Sequence, residues 1–171
     1  DSLKTVKNNG VAYRMIFVGD GADKGEIEKY TEKLGLSDRV HFAGAIGDRE
    51  KVRAFFSRAD LFLFPSTYDT SGLVVKEAAA CSCPSVMVRG SCASEEAEDG
   101  FTGYLCEENA ADCARVITEA VADRAALQKI GENAAEFLYL SWDDSVKKAC
   151  DRYEVVIEEF KNKKKEVLMN E

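Results

Sequence analysis

Short apolar runs punctuate the first two thirds of the chain. Met15-Ile16-Phe17-Val18 stops at Gly19-Asp20-Gly21. Val40-His41-Phe42 leads into Gly44-Ala45-Ile46-Gly47, and Leu61-Phe62-Leu63-Phe64 ends at Pro65. Ser85-Val86-Met87-Val88 follows Pro84, and Gly103-Tyr104-Leu105-Cys106 closes the series. These runs predict five strands, and the first, wholly apolar, reads as a strand buried on both faces. Between them the period lengthens. Ile27, Tyr30 and Leu34 recur at helical spacing before Gly35, and Asp48 caps a helix whose Val52, Phe55, Phe56 and Ala59 share a face. The remainder reads as helices over about 109–122, 124–139 and 142–161. Ser141 caps the last of these with Asp144 three residues on. Val146, Ala149, Cys150, Tyr153, Val156, Ile157 and Phe160 make its apolar stripe.

Strand and helix alternate through short loops, which predicts an α/β fold: a Rossmann-like, three-layer domain with a parallel sheet flanked by helices. A single domain is expected over 1–171, with C-terminal helices over about 124–165. Ligands of such sheets bind beyond the carboxyl ends of the strands. The loops after Val18, Phe42, Phe64 and Val88 are therefore the ones to read. Residues 1–9 look like the tail of a helix with no strand ahead of it, so a first strand is expected to be missing.

Composition narrows the function classes. The 171 residues are 46% hydrophobic and carry a net charge of -8, with both signs scattered. No basic face for nucleic acid is expected, and the basic run 161–165 reads as a solvated helix end. Six cysteines include one C-x-C and no C-x2-C, and His41 is the one histidine, which speaks against structural zinc. Buried, reduced thiols in a cytoplasmic protein are the expectation. No apolar run approaches the length of a membrane span.

The chemistry concentrates in Tyr68-Asp69-Thr70-Ser71-Gly72-Leu73-Val74-Val75-Lys76-Glu77-Ala78-Ala79-Ala80-Cys81. Asp69, Thr70 and Ser71 are N-cap types, so a helix begins near Gly72. Its first N–H groups lack intrahelical partners and suit a phosphate, and Gly72 permits close approach to the backbone. Glu77 lies about 8 Å further along, beyond the reach of a cap and placed for the hydroxyls of an attached sugar or ribose. From spacing alone, simple capping by Asp69 and a solvated Glu77 stand beside that reading. So does an acid–base pair for hydrolysis.

The stretch "FPSTYDTSGLVVKEAAACSCPSV" resembles the signature of the family 4 retaining glycosyltransferases of the GT-B fold. "MIFVGDG", "LGLSDRVHFAG", "RADLFLFPS", "EDGFTGYL" and "LSWDDSVKKACDRYEVVI" resemble successive family blocks in the same order. The resemblance implies the donor-binding domain of such an enzyme. Glu77 would hold the ribose hydroxyls of a nucleotide diphosphate-sugar, and Asp69 would contact the sugar. The backbone around Ser71, Gly72, Leu73 and Val74 would face sugar and diphosphate. Ile46, Asp48 and Lys51 would border the base, and Gly19 and Gly21 match the glycine turn near the nucleotide. Asp48 is equally a helix cap and Lys51 equally a solvated side chain. No metal or other cofactor is implied.

Two departures bear on activity. Asp69 stands where Glu is usual, about 1.5 Å shorter in reach, although Asp-Thr occurs in part of the family. The family's basic pair, which stabilises the departing diphosphate, has no match and is expected upstream of Asp1 with the N-terminal acceptor domain. The chain alone is therefore expected not to turn over. "GSCASEEAEDGFTGYLCEENA" is most similar to bacterial members described as diacylglycerol glucosyltransferases. UDP-glucose is the default donor; that similarity implies a membrane-lipid acceptor, with a glycan as the alternative, and an intact enzyme at the inner face of the membrane. A non-catalytic receiver-like module and half of a sugar-nucleotide epimerase remain the alternatives.

Overall fold

At the centre lies β4, Ser85–Val88, every residue of which is buried. It pairs in parallel with β3 (Phe62–Phe64) on one side and β5 (Tyr104–Cys106) on the other. Successive side chains of a strand point to opposite faces, so β4 feeds two cores. Val86 and Val88 meet Val6 of α1 (Ser2–Asn8) and Cys113, Ala114, Val116 and Ile117 of α5 (Ala110–Ala122). Met87, on the opposite face, packs with Val75 and Ala79 of α4 (Leu73–Ala79) and with Ala134 and Leu138. Helices on both faces of a parallel sheet make the three layers that the alternation of elements predicts. The computed structural model describes residues 1–169, with side chains described as far as Lys163. Lys164 and Lys165 of the basic run lie outside the described side chains.

The sheet departs from expectation in one respect. β1 (Met15–Val18) pairs in parallel with β2 (Val40–Gly44) to form a separate two-stranded ladder, and β3-β4-β5 form a second. β1 is not buried on both faces: Ile16, Phe17 and Val18 are 37%, 38% and 40% exposed. The cause is its edge position. With β2 on one side and no strand on the other among the described residues, its apolar side chains lack half their neighbours. Phe17 compensates by stacking on Phe42, ring centroids 5.2 Å apart. Ile27 and Tyr30 of α2 (Lys24–Lys33), which recur at helical spacing, are likewise exposed.

The helix ends follow the side-chain caps. Asp48 accepts from the N–H groups of Glu50 and Lys51 at 3.0 and 3.3 Å and opens α3 (Arg49–Arg58). Asp123 does the same for Ala125 and Ala126 at the start of α6 (Arg124–Asn133). The predicted helix over 124–139 is not uniform, because a π-helical turn, Ala134–Leu138, takes over its last part. Of the six cysteines none is paired. Cys83, Cys106 and Cys113 are buried as expected, whereas Cys92 and Cys150 are exposed. Burial pushes the Cys83 thiol up to about 12. Burial, followed by the neighbouring Cys113, does the same to Cys106, so both stay protonated near neutrality.

The chain divides into two units, Asp1–Tyr139 and Leu140–Glu171. The second consists chiefly of α7, Trp142–Met169. The hydroxyl of Ser141 accepts from Asp144 N at 3.1 Å and donates to its Oδ2 at 2.6 Å, the cap that the spacing predicts. The α7 stripe is exposed, with Val146, Tyr153, Val156, Ile157 and Phe160 all more than half accessible. Among the described residues no helix is long and apolar enough to cross a membrane.

Candidate functional site

Parallel strands put the loops after β1, β2, β3 and β4 beyond their carboxyl ends, and specific contacts stitch these loops together in pairs. Gly19 N donates to Gly44 O at 2.9 Å and joins the loop after β1 to the end of β2. Arg49, the first residue of α3, donates from Nη1 to Glu77 Oε1 of α4 at 2.7 Å. Lys76 Nζ reaches Glu96 Oε2 at 2.6 Å, linking α4 to the segment after β4. The β2–α3 loop, which carries Ile46 and Asp48, and the first turn of α3, which carries Lys51, are thereby held beside Glu77. Gly21 makes two local bonds: its N–H donates to Asp20 Oδ1 at 3.0 Å, and its carbonyl accepts from Lys24 N at 3.3 Å.

Within α4 the periodicity sorts the residues. Val75, Ala78 and Ala79 are buried, while Leu73 is 61% exposed and Glu77, one turn later on the same face, is also exposed. An exposed leucine beside a carboxylate at a helix start offers both an apolar and a polar contact to one ligand. Glu77 Oε1 is engaged by Arg49, and Oε2 makes no hydrogen bond to a described residue. Lys51 lies 3.9 Å from Asp48 and is largely solvated, so Asp48 acts here as a cap and Lys51 as an exposed surface charge.

Asp69 behaves differently from the simple expectation of open N–H groups. Its Oδ1 accepts from Ser71 N at 3.0 Å. The Ser71 N–H, then those of Gly72 and Thr70, hold its carboxyl below the usual aspartate value of 3.8. A depressed folded value means that this contribution to stability is complete above the unfolded pKa and is lost as pH falls through the folded one. A carboxyl carbon NMR titration is expected to give Asp69 a midpoint below 3.8. A midpoint at or above 3.8 would contradict the turn geometry.

Gly72 serves packing rather than open access. It adopts φ +58°, and a Cβ there would lie 2.8 Å from Ala93 Cα. Its open side is filled by the 3₁₀ turn Cys92–Ser94, not left for a ligand. Between α4 and that turn runs a cleft of about 150 Å³ lined in part by Thr70, Ser71, Lys76, Cys92 and Glu96. This is below the ~300 Å³ lower end for pockets that enclose small molecules. The acids therefore border an open shelf. A larger cavity of about 320 Å³ lies away from them, among β5, α5 and α6. Of its charged lining, Arg115 pairs with Glu119, Asp99 pairs with Arg89 outside the cavity, and Asp123 caps α6.

Sequence reasoning missed Arg49 and Ala93. Arg49 is one of several charges in the first turn of α3, and its partner lies 28 positions away on another helix. Ala93 carries no chemistry of its own and gains meaning only from its contact with Gly72.

Comparison with known proteins gives consistent results. The family model described as glycosyl transferases group 1 matches residues 1–137. The chain is 31% identical over 146 residues to the N-acetyl-alpha-D-glucosaminyl L-malate synthase of Bacillus anthracis, covering 84% of this chain and 36% of that protein. It is 33% identical over 95 residues to a GDP-mannose-dependent phosphatidylinositol dimannoside mannosyltransferase of Mycobacterium tuberculosis, covering 56% of this chain and 24% of that one. The Anabaena protein HepE, solved in complex with UDP and glucose, superposes with a TM-score of 0.70 at 25% identity. That superposition covers 79% of this chain and 38% of HepE. The chain thus spans about a quarter to two fifths of the proteins it matches.

Proposed function

The chain belongs to the group 1 glycosyl transferases, and from that premise we propose that it is the donor-binding half of a retaining glycosyltransferase. Glu77 anchors the ribose hydroxyls of a nucleotide diphosphate-sugar, Asp69 orients the sugar, and the diphosphate lies over Leu73 and Val74. Ile46, Asp48 and Lys51 border the base, and Gly19 and Gly21 line the far side of the nucleotide. The donor is held without a divalent metal. The observation that carries this reading is the Arg49–Glu77 bridge. It fixes the second acid of the motif on an exposed helix face, directly beside the loop assigned to the base.

UDP-glucose is the proposed donor and a membrane lipid the proposed acceptor, with the acceptor domain supplied outside this chain. The Anabaena complex with UDP and glucose supports the donor, while the mycobacterial relative is named for GDP-mannose. The two nucleotides are therefore to be compared directly. Binding, not transfer, is the readout for the chain by itself. Calorimetric titration should show UDP and UDP-glucose binding, and Glu77→Ala should weaken both by about 1–3 kcal/mol, the cost of losing charge-assisted hydrogen bonds. Tighter binding of GDP-mannose would reassign the donor. Unchanged affinity in Glu77→Ala would remove the anchor role.

A further inference from the structure

Resting on that reading of the shelf, we infer that Arg49 is a positioning residue for nucleotide recognition, acting through Glu77. Three observations combine. Arg49 Nη1 contacts Oε1 alone at 2.7 Å, and Oε2 makes no bond to a described residue. The contact is end-on rather than a two-bond fork, so one carboxylate oxygen stays open for incoming hydroxyls. The side chains differ sharply in exposure, 88% for Arg49 against 45% for Glu77. Glu77 is thus the anchored partner, and Arg49 reaches across from a neighbouring helix. Finally, Asp48 fixes the first turn of α3 through the N–H groups of Glu50 and Lys51, so the base of the Arg49 side chain is itself held.

The arrangement has a definite consequence. A lone glutamate on an exposed helix face samples several rotamers, and ordering it on binding costs entropy. Arg49 restricts Glu77 to a state in which Oε2 can accept from a vicinal diol. This restriction acts on the ribose hydroxyls and not on base or phosphate. Arg49 is thus a determinant of selectivity for ribonucleotides over nucleotides that lack those hydroxyls.

The test compares UDP with 2′,3′-dideoxy-UDP by calorimetry on the 171-residue chain, in wild type, R49A, R49K and E77Q. Wild type should prefer UDP, and R49A should lose about threefold to fivefold in UDP affinity, the scale of an exposed ion pair. Binding of dideoxy-UDP should not change in R49A, and R49K should recover most of the preference. Equal weakening of both nucleotides in R49A would mean a general structural role and would overturn the inference, as would wild-type or tighter UDP binding. If E77Q abolishes the preference while R49A keeps it, the ribose reading stands and the Arg49 role falls. If wild type itself shows no preference, the ribose reading fails and this inference with it.

Discussion

Gly131→Ala is expected to lower the melting temperature of the chain by about 5–10 °C, corresponding to roughly 2–3 kcal/mol for a protein of this size. Taken alone, the substitution should help a helix, since alanine is better than glycine in a helix interior by about 1 kcal/mol. Tertiary geometry reverses the sign. A Cβ at Gly131 would lie 2.2 Å from the carbonyl oxygen of Ser82, 3.0 Å from its carbonyl carbon and 3.1 Å from Pro84 Cδ. These are mainly backbone and ring atoms, which cannot rotate aside like the end of a flexible side chain. Ser82 adds to the rigidity because it already adopts φ +54°, a conformation that a non-glycine residue holds only when its surroundings impose it. Relief requires α6 to lift from the turn between α4 and β4. That movement would open the core where Leu127 and Ile130 are buried, and overpacking of this kind costs about 1–3 kcal/mol or more. Thermal denaturation followed by circular dichroism provides the check. A melting temperature at or above that of the parent would show that α6 is free to shift, contrary to this packing.

Gly131 also marks the boundary of what sequence patterning conveys. Leu127 and Ile130 announce the buried face of α6, but nothing local says that Gly131 touches a turn some fifty positions earlier. Element identity was legible because it rests on short-range regularities. The apolar runs around Val18, Phe42, Phe64, Val88 and Cys106 became β1 to β5, and the caps at Asp48 and Ser141 hold in the structure. Burial was less legible. Met15–Val18 and Ser85–Val88 look alike as apolar runs, yet one lies at an edge and the other at the centre, because the number of neighbouring strands is a property of topology. The same division runs through the site. Asp69 and Glu77 stood out from a motif eight residues apart. The bond from Arg49 and the packing of Ala93 on Gly72 arise only when separate loops meet at the carboxyl ends of the strands. The π-helical turn Ala134–Leu138 lacks a proline or glycine to announce it, and its register shift follows from seating Ala134 and Leu138 against Met87.

Gly72→Ala should have the largest effect of any single change near the site, about 2–5 kcal/mol in stability together with loss of UDP binding. Two separate costs add. Holding an L-residue in the left-handed region, where Gly72 sits at φ +58°, costs about 1–2 kcal/mol. The new Cβ would also meet Ala93 Cα at 2.8 Å and Ala93 Cβ at 3.0 Å, and crowding a packed contact costs about 1–3 kcal/mol. Asparagine separates the two, since it tolerates the left-handed region better than alanine but carries the same Cβ. If conformation dominates, Gly72→Asn should be the milder change. If the Ala93 contact dominates, as the 2.8 Å approach to a backbone atom implies, Asn should be at least as damaging as Ala. The functional consequence follows from where Gly72 stands. It is the residue between the Asp69–Ser71 turn and the first residue of α4, so a displacement there moves Asp69 relative to Glu77. Melting curves for both variants, with UDP titrations below their transition temperatures, decide the matter. A Gly72→Ala chain that melts with the parent and binds UDP equally would show that neither the left-handed entry nor the Ala93 contact shapes the shelf.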